Sequence, residues 1–136
     1  MIRIEEIPYQ QTWEIRHRVM WPHKPIEYVQ LDEDRFGKHY GLFVDDELVS
    51  IVSLFVENKE AQFRKFATLQ SSQGKGYGSQ LLKFVFAEVE VQNIKRIWCN
   101  ARKEKTAFYQ RFCMIETQET FSKGGIEYVI MEKFSR

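Results

Sequence analysis

Residues 70–78 read Gln-Ser-Ser-Gln-Gly-Lys-Gly-Tyr-Gly, with glycine at every second position, 74, 76 and 78. A residue without Cβ tolerates positive φ and lets a ligand come close to the backbone. Upstream, residues 63–69 (Phe-Arg-Lys-Phe-Ala-Thr-Leu) have the composition of an extended, largely apolar strand; downstream, Leu81, Leu82, Val85, Phe86 and Val89 recur at helical spacing. The glycines therefore fall where a strand turns into a helix. The first amides of such a helix lack intrahelical acceptors and carry partial positive charge. The chemistry this suits is anion binding, a pyrophosphate in particular.

Glycine is also the default residue of a tight turn, so the flanks have to decide. A Walker A loop ends in Gly-Lys-Ser/Thr, whereas Lys75 is followed by Gly76 and the Mg²⁺-binding hydroxyl is missing. A dinucleotide fold needs Gly-x-Gly-x-x-Gly and an acidic residue closing the next strand, but here the spacing differs and that strand, residues 96–101, closes around Asn100.

Residues 73–78, Gln-Gly-Lys-Gly-Tyr-Gly, resemble the Gln/Arg-x-x-Gly-x-Gly/Ala loop with which N-acetyltransferases of the GNAT superfamily hold the pyrophosphate of acetyl-coenzyme A. The resemblance continues through Asn100-Ala-Arg102 and the Ala-Phe-Tyr-Gln-Arg-Phe of residues 107–112, and spans residues 40–133. It implies a mixed α/β sheet of six to seven strands with helices on both faces, and acetyl-CoA as co-substrate. It also implies site residues. Backbone amides of Gln73, Gly74, Lys75, Gly76, Tyr77 and Gly78 would take the pyrophosphate, and main chain of Thr68, Leu69 and Gln70 the pantetheine arm and thioester carbonyl. Asn100 reads equally as a partner of the same arm and as a polar residue closing its strand, and Tyr109 would meet the departing thiolate. Lys75 reads equally as a phosphate partner and as a solvated charge. In one departure, Cys113-Met114 stands where the family usually has Gly-Phe, so the glycine that stops the last helix is missing.

At 136 residues, 43% of them hydrophobic, the chain is long enough for one domain with a full core, and residues 1–136 are expected to form it. Its 20 basic and 19 acidic residues show no long run of one sign, which gives no electrostatic case for nucleic acid or an anionic membrane. A small-molecule or peptide amine remains as the acceptor, with homodimerisation left open. The amino terminus lacks an apolar signal core and no 18 apolar residues run together, so a cytoplasmic protein is expected. Cys99 and Cys113 have no Cys-x-x-Cys spacing, and His17, His23 and His39 lie in unrelated contexts, so no metal site is expected.

Ile2 and Ile4 mark a first strand, and a helix begins at Thr12 and reaches Met20 before Pro22 and Pro25. Residues 21–37 form a long connection with a helical turn around 26–31 and the acidic run Asp32-Glu33-Asp34. Strands at 39–44, 48–56 and 63–69 form an antiparallel meander. The strand at 94–100 must lie parallel to its predecessor if the intervening helix crosses over. A helix over 103–112 and a hairpin of 115–121 with 126–134 complete the chain.

Acyl transfer to an amine needs a held cofactor, a neutral amine and a stabilised leaving group. A lysine-like amine of pKa about 10.4 is neutral in only about one molecule in a few thousand at pH 7, a handicap of roughly 4 to 5 kcal/mol. The sequence singles out no base: Glu57, Glu60 and the cluster at 32–34 all sit at turns, where charged residues mostly face solvent. A phenol of pKa about 10 is a weaker acid than a thiol of about 8.5, so the expected role of Tyr109 is hydrogen-bond stabilisation of the thiolate, or donation by a phenol that its site has made more acidic. Direct attack in a ternary complex is the leading expectation. A non-catalytic coenzyme A-binding sensor or interaction module is the alternative, and the presence of Tyr109 argues against it.

Overall fold

Three hairpins share one turn geometry, each with two loop residues at positive φ: Asp45-Asp46, Asn58-Lys59 and Gly124-Gly125. This mirror-image turn matches the right-handed twist of the strands it joins, and Asp, Asn and Gly tolerate it best. In the computed structural model, which describes residues 1–135, these turns help build one seven-stranded sheet in the order β1-β2-β3-β4-β5-β7-β6. The strands are β1 (Ile2–Ile7), β2 (Lys38–Val44), β3 (Glu47–Glu57), β4 (Glu60–Thr68), β5 (Arg96–Arg102), β6 (Ile115–Lys123) and β7 (Ile126–Phe134). The helices are α1 (Trp13–Met20), α2 (Tyr77–Val91) and α3 (Thr106–Gln110). Among the described residues no helix is long and apolar enough to cross a membrane.

The meander and the parallel crossover agree with the sequence pattern, with ends shifted by one to three residues. Helix α2 buries Leu81, Leu82, Val85, Phe86 and Val89 on the sheet, the stripe its spacing predicts. Its far end is closed by Asn93 at φ 59, with the Ile94 amide donating to the Val89 carbonyl and the Asn93 amide to Glu90. This 6→1 and 5→2 pair is a Schellman cap. The same pair ends α3, from Met114 to Tyr109 and from Cys113 to Gln110, with Cys113 at φ 68. The missing glycine is therefore tolerated: cysteine takes the left-handed position at a cost of about 1–2 kcal/mol, and Met114 fills the core.

The opposite face of the sheet carries a feature the sequence reading does not foresee. Arg16 of α1 is fully buried, its Nη1 donating to Asp34 Oδ2 at 2.8 Å and its Nη2 to Asp34 Oδ1 at 3.0 Å. The same guanidinium donates to the Val29 carbonyl and to Ser53 Oγ on β3, and His39 of β2 bonds both Ser53 Oγ and the Asp34 carbonyl. The long connection, which contains 3-10 turns at Ile26–Val29 and Asp32–Phe36, is thus fastened to the sheet through polar groups.

Removing one partner of a buried, hydrogen-bonded pair leaves the other charge stranded, and Asp34→Ala should cost about 3–5 kcal/mol in urea unfolding. Arg16→Met combined with Asp34→Leu should cost less than the sum of the single changes. Burial alone would raise the Asp34 carboxyl, but Arg16, Trp13 and the Leu31 amide outweigh it and hold it below its ordinary range. Its stabilisation is therefore present above about pH 4 and lost as pH falls through the lower folded value. A change below about 1 kcal/mol in Asp34→Ala would show that the pair fastens nothing.

Candidate acetyl-coenzyme A site

Strands β4 and β5 pair in parallel over three positions only, Glu60 with Arg96, Ala61 with Ile97 and Gln62 with Trp98. Beyond Gln62 they separate, while β5 stays paired with β7 as far as Arg102. From Phe63 to the end of β4 one edge has no neighbouring strand, and such an edge can pair with an amide-rich extended ligand as an added strand would. The glycine loop follows directly.

The departure of β4 comes with a bulge. Register against β3 runs Ile51 with Ala67 but Ser53 with Arg64, so β4 carries one extra residue, and Lys65 sits there at φ 56. In a regular strand Phe63 and Phe66 would point to opposite faces; the extra residue brings both to the α2 face. Phe66 stacks on Phe108 of α3 at 6.0 Å, and Phe63 meets Phe86 of α2 and Tyr109 of α3 at 6.1 and 5.8 Å. Aromatic rings of α3 thus reach β4 where β5 no longer does. Arg64 and Lys65 go to the other face, where Arg64 lies over the Phe55 ring and bonds Glu33 at 3.0 Å.

The three glycines of the loop divide by cause. Gly74 and Gly76 lie at φ 79 and 82, and an added Cβ at either would meet no protein atom within 4 Å. Backbone handedness, not packing, asks for glycine there. At Gly78 φ is ordinary, but an added Cβ would lie 2.8 Å from the Phe66 ring. Its role is to seat α2 on the bulged strand, a correction to the expectation that all three serve close approach of a ligand. The first helical bond of α2 runs from the Gln80 amide to the Gly76 carbonyl, so the amides of Tyr77, Gly78 and Ser79 precede it. Lys75 is exposed and has no ion pair among the described residues.

Other residues singled out from sequence are more committed than expected. The Leu69 amide donates to the Val49 carbonyl at 2.8 Å and the Leu69 carbonyl accepts from Ser72. The Thr68 carbonyl accepts from the Gln73 side chain, its hydroxyl shares a bond with Ser50, and the Gln70 carbonyl accepts from the Gln73 amide. The Gln73 side chain therefore closes the loop onto β4. Asn100 does not end its strand: it lies two residues inside β5, opposite Ile130, with its side chain exposed.

Tyr109 makes no side-chain hydrogen bond with the described residues, and burial first, then Cys99, pushes its phenol well above the ordinary range, with Arg102 pulling the other way. The acidified phenol that the sequence left open is not what this site makes; the proton stays on the oxygen. Burial also pushes the Cys99 thiol up to about 12, which leaves it protonated and a poor nucleophile.

Of the carboxylates named as bases, Asp34 is held by Arg16, Glu33 by Arg64 and Glu60 by Arg96 at the paired end of β4, while Asp32 and Glu57 are exposed to solvent. The sequence reading does not foresee the bulge at Lys65, whose signal is two phenylalanines three apart inside an otherwise two-residue period.

The model of the acetyltransferase (GNAT) domain family matches residues 9–135. An uncharacterized N-acetyltransferase of Bacillus subtilis (strain 168), YitI, is 32% identical over 146 residues, covering 100% of this chain and 98% of its own. The fold superposes on a candidate N-acetyltransferase of Lactobacillus plantarum with TM-score 0.86 at 17% identity, covering 98% of this chain and 97% of that one. It also superposes on a GNAT family acetyltransferase of Elizabethkingia anophelis with acetyl-CoA bound, with TM-score 0.73, 17% identity and 98% of each chain covered. The two distant structures speak for the fold, and the family model with the relative that spans the whole chain settles the lineage: this chain belongs to the GNAT family of acetyltransferases.

Proposed function

We propose that residues 1–136 act as one catalytic domain that moves an acetyl group from acetyl-CoA to a primary amine of a small molecule or peptide, by direct attack in a ternary complex. The observation that carries this reading is the unpaired edge of β4 running into a loop with two left-handed glycines and free helix amides. Open space over Gly74 and Gly76 suits a diphosphate, and the edge suits an amide-rich arm. Acetyl-CoA supplies an acyl group already activated as a thioester. Amides of residues 74–79 hold its phosphates, and the β4 edge near Thr68, Leu69 and Gln70 orients the arm, the Gln70 amide being uncommitted among the described residues where that of Leu69 is bonded. Tyr109, protonated at neutral pH, holds its proton on the phenolic oxygen and donates a hydrogen bond toward the leaving sulfur. Direct attack is supported by the chemistry of Cys99, which burial keeps as a thiol. A cytoplasmic setting is supported by two unbridged thiols.

The relatives' chemistry sets the first test, release of free thiol from acetyl-CoA with polyamines, amino acids, aminoglycosides and peptides. Absence of release with every amine, in protein shown to bind acetyl-CoA, would favour the sensor reading. The glycines separate binding from folding. Gly76→Val should weaken acetyl-CoA binding at least tenfold in calorimetry, beyond a strain of about 1–2 kcal/mol in the melting curve. Gly78→Ala should lower stability by about 1–3 kcal/mol through crowding of Phe66. If Gly76→Val binds as well as the parent, the loop holds no phosphate.

Tyr109→Phe keeps the ring contacts with Phe63 and Phe108 and removes only the hydroxyl. Coenzyme A affinity should stay near that of the parent while turnover falls roughly 10²- to 10⁴-fold, the range for a positioned proton donor. Turnover within about twofold of the parent would make Tyr109 a packing residue.

A further inference from the structure

The face of β4 opposite the aromatic rings gathers positive charge. Lys65 occupies the bulge between Gln62, the last residue paired with β5, and Thr68, where the loop begins. A non-glycine residue at φ 56 is strained, and such strain persists where the surroundings fix a side chain's direction. Lys65 is half-buried, and unlike Arg16, Arg64 and Arg96 it has no carboxylate partner among the described residues. Burial, then Arg64, Arg16 and Lys123 of the terminal hairpin, push its ammonium below the ordinary range; Asp34 alone pulls the other way, and both Asp34 oxygens are already bonded to Arg16. The separated strands thus hold a cation that no carboxylate among the described residues neutralises.

Resting on the acetyltransferase reading above, we propose that the acceptor carries an anionic group, a carboxylate, in the same molecule as its amine, and that Lys65 is the specificity-determining residue that binds it. A half-buried ammonium without a carboxylate partner among the described residues is a site that an anion stabilises, whereas a polyamine would bring further positive charge against Lys65 and Lys123.

The test is calorimetric titration of the coenzyme A-saturated protein with matched product-like probes: N-acetylglycine, N-acetyl-L-leucine and N-acetyl-L-phenylalanine, their neutral amides, and N-acetylspermidine. At least one acid should bind ten times or more tighter than its amide, the ratio should shrink as sodium chloride rises, and N-acetylspermidine should bind worst. Lys65→Met should bring acid and amide together, and Lys65→Arg should keep most of the preference. Equal binding of acids and amides by the parent, no binding of any acid, tighter binding of the spermidine probe, or an undiminished ratio in Lys65→Met would each overturn the proposal. The ratio in the parent needs no variant, so a poorly folding Lys65→Met leaves the test intact. Binding of these probes needs no turnover: a retained acid preference without thiol release from acetyl-CoA would count against the reaction and not against the anion site.

Discussion

A parallel strand pair normally continues until one strand ends, yet β4 and β5 separate after three residue pairs although both run on for several residues. The extra residue at Lys65 turns Phe63 and Phe66 to one face, where rings from α2 and α3 meet them. Contact with those rings replaces contact with β5 along that part of β4. Much of the rest follows. The edge left open on β4 leads into the glycine loop, Phe66 dictates glycine at 78, and α3 is drawn in so that the Tyr109 ring lies against the separated stretch of strand.

The other face is organised by Arg16. A fully buried guanidinium costs several kcal/mol in lost hydration, which hydrogen bonds to its donors must offset; here Asp34, Val29 and Ser53 take both terminal nitrogens, and Nε alone is left without a partner among the described residues. This fixes residues 26–36 beside the bulge and removes Asp34 from the set of possible bases. The two faces thereby differ in chemistry: aromatic and apolar toward α2 and α3, polar with excess positive charge toward α1.

Most of the fold was legible because hydrophobic period and turn chemistry agree. Strand alternation, the α2 stripe and the paired Asp-Asp, Asn-Lys and Gly-Gly turns each point to a local structure that the tertiary fold keeps. The loop was legible because few backbones need three glycines at alternate positions. Less legible was what depends on partners far along the chain: nothing local in Arg16 announces Asp34 eighteen residues on, or Ser53 beyond it. The end of α3 misled in another way, since the Schellman hydrogen bonds hold Cys113 left-handed where glycine was expected. The bulge was written in the Phe63 to Phe66 spacing, but an apolar stretch read as one strand hides a break in period.

The central claim, that the separated strands and the glycine loop together form the acetyl-CoA site, is tested most directly by amide hydrogen exchange with and without coenzyme A. The account predicts slowed exchange in two stretches at once, residues 63–70 along the open β4 edge and residues 74–80 of the loop and first helical turn, with the outer strand β6 unchanged. Protection confined to other parts of the sheet, or none at saturating coenzyme A, would contradict it.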